Sequence, residues 1–229
     1  MSAERKKGFW RDESGAVMIE VTVTIFTFLV ILFGVVEFSY AFYQWNIATK
    51  ATQLGARLAA VSEPVASSLT SLTGLSNTVL PGDPMPGFDC ICSGATNNCI
   101  SGSAYTCPGA PYSISGTAAA LSALNTIVYG RGNNGTSCGN DTSNMGMCNV
   151  FYGITRANVV VRYQYTGLGY AGRPPGLNHT GAPVPTITVS LTGLKFNFVL
   201  LGGLLGFKSI DIPGLATTIT GEDLNVSGS

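Results

Sequence analysis

From Ala16 to Phe38 the chain reads AVMIEVTVTIFTFLVILFGVVEF, an apolar run broken only by three threonines, a glycine and two glutamates, Glu20 and Glu37. Its length, about 23 residues, lets a helix cross roughly 30 Å of hydrocarbon. The pattern then changes period without stopping. In AFYQWNIATKATQLGARLAAV, the residues Ile47, Ala51, Leu54, Leu58 and Val61 recur at spacings of three and four, which predicts an amphipathic continuation. The small residues Ala48, Gly55, Ala56, Ala59 and Ala60 leave room for another element to approach closely. Pro64 disfavours helix at Glu63, so the pattern ends near Val61. One helix over 16–61 is expected, about 70 Å long at 1.5 Å per residue.

The remaining sequence alternates between loop-like and strand-like stretches. Residues 63–115 are rich in Ser, Thr, Gly and Pro, show no sustained period, and read as a disulfide-tied loop inserted before the domain core. GTAAALSALNTIVYG predicts a short helix, with Leu121, Leu124 and Val128 on one face and a glycine at each end. Residues 130–149 read as loop. ANVVVRYQYTG then alternates, placing Val159, Val161, Tyr163 and Tyr165 on one face. PTITVSLTG does the same with Ile187, Val189 and Leu191, and LATTITG with Leu215, Thr217 and Ile219. Between the last two lies KFNFVLLGGLLGFKSIDIPG, an apolar run broken by Gly202, Gly203 and Gly206. It is too short for a second span, and either packs under the sheet or lies at the membrane surface. The expected class is α+β: a long transmembrane and amphipathic helix followed by a small external domain. That domain holds an antiparallel sheet, one short helix and the loop insert. The segments are a leader over 1–15, the helix over 16–62 and the external domain over 63–229.

Composition narrows the function classes. The 229 residues carry zero formal net charge, which argues against a nucleic-acid surface or a polybasic membrane patch. Charged residues are only 10 %, yet hydrophobic residues are 45 %, so the chain has ample material for a core. All six cysteines, Cys90, Cys92, Cys99, Cys107, Cys138 and Cys148, follow the apolar segment. An even number on one side of a span predicts an oxidising compartment and up to three disulfides. Of the possible pairs, Cys138–Cys148, which closes its own Gly/Asn-rich loop, is preferred. Cys90-Ile91-Cys92 is too tight for a zinc knuckle, and the single histidine, His179, reads as a loop residue. There is no Gly-x-Ser-x-Gly elbow and no phosphate loop. No enzyme, metal or cofactor site is expected. The acidic residues of the external domain, among them Asp83, Asp89 and Asp211, stand at no informative spacing. Asn134, Asn140, Asn178 and Asn225 begin Asn-x-Ser/Thr triplets, read as products of a Thr/Asn-rich composition.

The boundary before the apolar run carries the chemistry. Arg5, Lys6, Lys7 and Arg11 precede it, which predicts a cytoplasmic N-terminus and a translocated remainder. A cleavable secretory signal needs a small-residue site after its apolar core. Here the core runs instead into GVVEFSYAFYQWN, whose aromatics suit an interfacial belt, or alternatively a helix-packing seam. Glu37 near the far interface reads as a solvated carboxylate. Glu20 is harder to place, since a carboxylate near a helix centre in a bilayer costs roughly 2.5–3.5 kcal/mol. Gly15 followed by AVMIE resembles the cleavage motif of type IV prepilins. That resemblance implies a membrane peptidase cutting after Gly15 on the cytoplasmic side, leaving an α-amine on Ala16 with a pKa near 8. Glu20, at the fifth mature position, can then neutralise the amine of a neighbouring subunit. Asp12, Glu13 and Ser14 stand where such leaders are usually more basic.

The run ESGAVMIEVTVTIFTFLVILFGVVEFSYAFYQWNIATKATQLGARLAAV as a whole resembles the TadE-like family of tight-adherence (Flp-type) pilus assembly proteins. The closing run, ITVSLTG…LLGGLLGFKSIDIPGLATTITGED, is similar to that family's last pair of strands. The resemblance implies a minor pilin or pseudopilin, processed by a prepilin peptidase at Gly15, Ala16 and Glu20. Its partners would be other pilins, the assembly machinery and possible surface targets for adhesion. Its expected place is the bacterial inner membrane with a periplasmic domain, or the extracellular pilus after assembly. The competing reading is a bitopic, membrane-anchored binding module of the envelope that never enters a fibre.

Overall fold

The structure, a computed structural model, describes residues 13–72, 84, 86–132, 135, 137–139, 143–171, 182–198, 200–206 and 209–221. The basic leader residues, His179 and the four Asn-x-Ser/Thr asparagines therefore lie outside the described residues. The first element is one helix, α1 (Glu13–Val61), of 49 residues. Its continuity follows from the sequence, which changes period without supplying a breaker before Pro64. The chain divides into two compact units. One holds the N-terminal part of α1 to Tyr43 together with Phe196–Ile210, and the other holds Gln44–Lys195 and Asp211 onward.

The second unit is built on a six-stranded sheet. Its strands are β1 (Asp89–Ser93), β2 (Asn98–Ser101), β3 (Tyr112–Ser113), β4 (Val159–Gln164), β7 (Thr186–Leu191) and β10 (Leu215–Thr220). They lie in the order β10-β7-β4-β1-β2-β3, every neighbouring pair antiparallel. The short strands β5 (Tyr170–Ala171) and β6 (Ala182–Pro183) pair separately, as do β8 (Lys195–Phe196) and β9 (Ile210–Asp211). The three alternating runs form strands as their pattern predicts. Val159, Val161 and Tyr163 are buried on β4, and Ile187, Val189 and Leu191 on β7. Register aligns these residues into rows across the sheet. Cys90, Tyr163, Ile187 and Ile219 form one row, and Cys92, Val161, Val189 and Thr217 the next.

The reading of residues 63–115 as an inserted loop needs correction. The region is disulfide-tied, but it also supplies β1, β2 and β3, half of the sheet's strands. Cys90 and Cys92 are two apart, and in a strand that spacing sends both side chains to one face. Both are fully buried there, acting as core apolar groups. The pairs are Cys90–Cys107, Cys92–Cys99 and Cys138–Cys148.

Against the sheet packs the C-terminal part of α1. The face it buries is made of its small residues: Ala48, Ala51, Thr52, Ala56, Ala59 and Ala60. The larger Ile47, Leu54 and Leu58 flank this face half-buried, and Val61 is exposed. The helix therefore uses a narrower seam than the apolar pattern suggests, because short side chains permit the closer approach. Thr52 Oγ1 meets Thr217 Oγ1 at 2.9 Å across that seam. A Cβ on Gly55 would stand 2.5 Å from Met147 Sδ. The helix α2 (Ala118–Tyr129) forms as expected, burying Ala120, Ala123, Leu124, Ile127 and Val128. Gly130, at φ 91°, closes it in a conformation that a side chain would disfavour. A one-turn helix, α3 (Met147–Val150), lies in what the sequence suggests is loop.

Candidate functional site

In the N-terminal part of α1 nearly every large apolar side chain faces outward. Val17, Met18, Ile19, Phe26, Phe28, Ile31 and Phe42 are all more than half exposed. The helix is long and apolar enough to cross a membrane, and its outward surface suits lipid or other apolar helices. The polar residues of this stretch are dealt with locally. The hydroxyls of Thr22, Thr24, Thr27 and Ser39 donate to the carbonyls of Met18, Glu20, Val23 and Val35, each four residues earlier. Such back-bonding removes their cost in a medium that offers no partner.

Gly15, Ala16 and Glu20 all lie in the first turns of this helix and are exposed. Nothing comes within 4 Å of where a Cβ on Gly15 would be. Ala16 and Glu20 are four apart, so they share a face one turn from each other. The helix is already formed at Glu13, so the Gly15–Ala16 bond falls within its first turn.

The second carboxylate of the helix behaves differently. Glu37 is only 7 % exposed, so the reading of a solvated interfacial carboxylate is overturned. Its Oε2 accepts a hydrogen bond from the backbone N–H of Leu201 at 3.1 Å. Leu201 lies in a short helix, α4 (Leu200–Leu205). Phe38 packs edge-on against Phe198 at 5.8 Å, and Tyr40 against Phe196 at 6.1 Å. Phe196 and Phe198 meet each other at 5.0 Å. The glycine-broken apolar run thus joins the N-terminal part of α1 rather than packing under the sheet. The aromatic run after Phe38 is divided accordingly. Phe38 and Tyr40 contact the run while staying about half exposed, Tyr43 stacks on Tyr40 at 6.3 Å, and Phe42 is 69 % exposed. A signal for this was present in the sequence: an isolated carboxylate at the end of one apolar run, and a second apolar run whose backbone needs acceptors and donors satisfied.

The sheet carries a buried ion pair between β1 and β4. Asp89 is fully buried, and Arg162 reaches it with two bonds, Nε to Oδ1 at 2.8 Å and NH2 to Oδ2 at 2.6 Å. Ala104 N–H adds a third at 3.3 Å. The Arg162 guanidinium holds the Asp89 carboxyl below the usual carboxylate value, against the opposing effect of burial. The same contact raises the pKa of Arg162. Tyr163, on the buried face of β4, accepts a bond from Val65 N–H at 3.0 Å, and burial pushes its hydroxyl pKa up. Each of these groups has its partners within the fold, so the ion pair and the tyrosine hydroxyl read as structural. Among the described residues no group of three or more metal-ligating side chains occurs.

Comparison with known proteins bears on the helix alone. The family model of the TadE-like proteins matches residues 15–57. The similarity of the C-terminal strands lies outside that match. No curated protein and no solved structure matches the chain. The match falls entirely on the helix that carries Gly15, Glu20 and Glu37. Over residues 15–57, and there alone, the chain is similar to the TadE-like proteins.

Proposed function

We propose that the protein is a minor pilin or pseudopilin of a thin, adhesive Tad (Flp-type) pilus, released for assembly by a prepilin peptidase that cuts after Gly15. The observation that carries this reading is the position of Gly15 and Glu20 at the mouth of an outward-facing apolar helix of TadE-like sequence. In the membrane the leader is cytoplasmic, following its basic residues, and the sheet domain lies on the opposite, periplasmic side, where its cysteines oxidise. The scissile bond sits in the first helical turn, whose N–H groups have no intrahelical partner and which opens at little cost. Cleavage places a new α-amine one turn from Glu20, so each subunit offers a cation and an anion on one face. Subunits staggered along a fibre exchange these groups, amine to carboxylate. The pair sets register more than it adds net stability, because removing one member strands the other in an apolar bundle.

The deciding measurement is the N-terminus of the mature protein, by intact mass or sequencing, from cells with an active prepilin peptidase. Ala16 as first residue is expected. A retained Met1 or Ser2 would leave an uncleaved envelope anchor as the correct reading. Glu20→Ala is expected to be inserted and cleaved yet fail to support piliation, scored by counting pili. Normal pilus yield would show that the carboxylate is incidental.

A further inference from the structure

We infer that residues 196–210 are a second membrane-seated element: an apolar hairpin lying in the leaflet where α1 exits, held there by Glu37. Between Lys195 and Lys208 the run FNFVLLGGLLGF contains no charged residue. That composition is unusual for a surface connection in a water-soluble domain. The run belongs with the N-terminal part of α1, not with the sheet.

The depth of the element follows from the helix it contacts. A span beginning at Ala16 uses up roughly 30 Å of hydrocarbon by about Glu37, at 1.5 Å per residue. Three contacts of the run with α1 fall at that level: Leu201 N–H with Glu37, Phe198 with Phe38, and Phe196 with Tyr40. The exposed Tyr43 and Trp45 follow directly, as an interfacial belt requires. Gly203 and Gly206 of the run are exposed, and nothing lies within 4 Å of a Cβ placed on either. One side of the hairpin is therefore open.

The bond from Leu201 to Glu37 is consistent with a lipid cover on that side. A short helix leaves its leading N–H groups without intrahelical partners. In water those groups need no protein acceptor, and burying a carboxylate to provide one would bring a net cost. At the edge of hydrocarbon the bond has more to offset, because an unsatisfied backbone group there costs several kcal/mol. Glu37 answers that need with one bond, its carboxylate accepting from the Leu201 N–H. A lipid surface is the environment in which both halves of this contact make sense. The element is monotopic and does not span, as its length dictates.

The test uses the full chain in nanodiscs of mixed phosphatidylcholine and phosphatidylglycerol, with Trp10→Phe and Trp45→Phe removing the native fluorophores. Gly203→Trp then reports on the open side, with Leu29→Trp as a probe in the middle of the span. Lipids brominated at successive acyl positions serve as depth-graded quenchers. For Gly203→Trp, quenching is expected to be strongest from bromines nearest the glycerol, with blue-shifted emission. Adding Glu37→Leu should diminish that quenching and shift emission to the red, whereas Glu37→Gln, which keeps an acceptor, should preserve both. If Gly203→Trp does not accumulate, Phe198→Trp reports from the same run. Quenching of Leu29→Trp with none at Gly203 would overturn the inference. Shielding from both lipid and aqueous quenchers would also overturn it, by showing a protein surface over the run. Failure of Leu29→Trp to be quenched would refute membrane anchoring itself, a separate result. None of these outcomes depends on cleavage at Gly15.

Discussion

Asp89 and Arg162 illustrate how little of a buried ion pair shows in a sequence. The two residues are 73 apart, and Asp89 stands among other acidic residues with nothing to distinguish it. Only strand register, which sets β1 against β4, brings the guanidinium within reach. Arg162→Met is expected to cost roughly 3–5 kcal/mol, because it leaves a fully buried carboxylate without a cation. Urea denaturation of the full chain in detergent measures this. A loss under about 1 kcal/mol, the range of exposed pairs, would show that water reaches Asp89. The pH dependence has a definite sign. The folded pKa of Asp89 is depressed, so its stabilisation is complete above the unfolded value of about 3.9 and is lost as pH falls through the folded value. Asp89→Asn should therefore flatten the stability–pH curve below about pH 4. Tyr163→Phe removes the acceptor of the buried Val65 N–H, at an expected cost of about 1–3 kcal/mol in the same assay. The roles proposed for Gly15 and Glu20 rest on their position along a single helix and need no tertiary contact.

At the scale of elements, helix and strand existence followed from period, whereas the choice of buried face did not always. α1 shows why. Periodicity marks the large apolar side chains, but the sheet packs on the alanine and glycine stripe beside them, where the backbones come closest. Gly55→Leu should thus destabilise by about 1–3 kcal/mol through overpacking against Met147. Arg57→Leu, on the exposed side two residues away, should stay within about 0.5 kcal/mol. Thermal melts of the two variants compare them directly, and equal effects would mean that the seam is loosely packed. β1 escaped notice because a five-residue strand with two half-cystines looks like loop composition. Its Cys-x-Cys spacing, enough to reject a zinc knuckle, is also the spacing of one strand face.

At the scale of the whole molecule, the family match ends at residue 57 and the sheet domain begins to be built afterwards. What was legible in the domain was the alternation of β4, β7 and β10; the pairing of β1 alongside β4 depends on long-range contacts that no local pattern encodes. The disulfides close loops of different length. Cys90–Cys107 spans 17 residues and Cys92–Cys99 spans 7. Replacing each pair by alanine should cost about 3 kcal/mol for the first and slightly less, about 2.4 kcal/mol, for the second, if loop entropy governs. Denaturation midpoints of the two double variants check the order. The sheet order also imposes a sequence of events on biosynthesis. As the chain emerges, β1 and β2 can close as a hairpin stapled by Cys92–Cys99, but the other edge of β1 stays unpaired until Val159–Gln164 has been made. Until β4, β7 and β10 follow, the alanine seam of α1 has no sheet to receive it. The domain is thus committed to finishing late, and a chain interrupted before Leu215 would leave Thr52 without Thr217 and β7 as a raw edge. Quality control of this protein is therefore expected to read the arrival of β10.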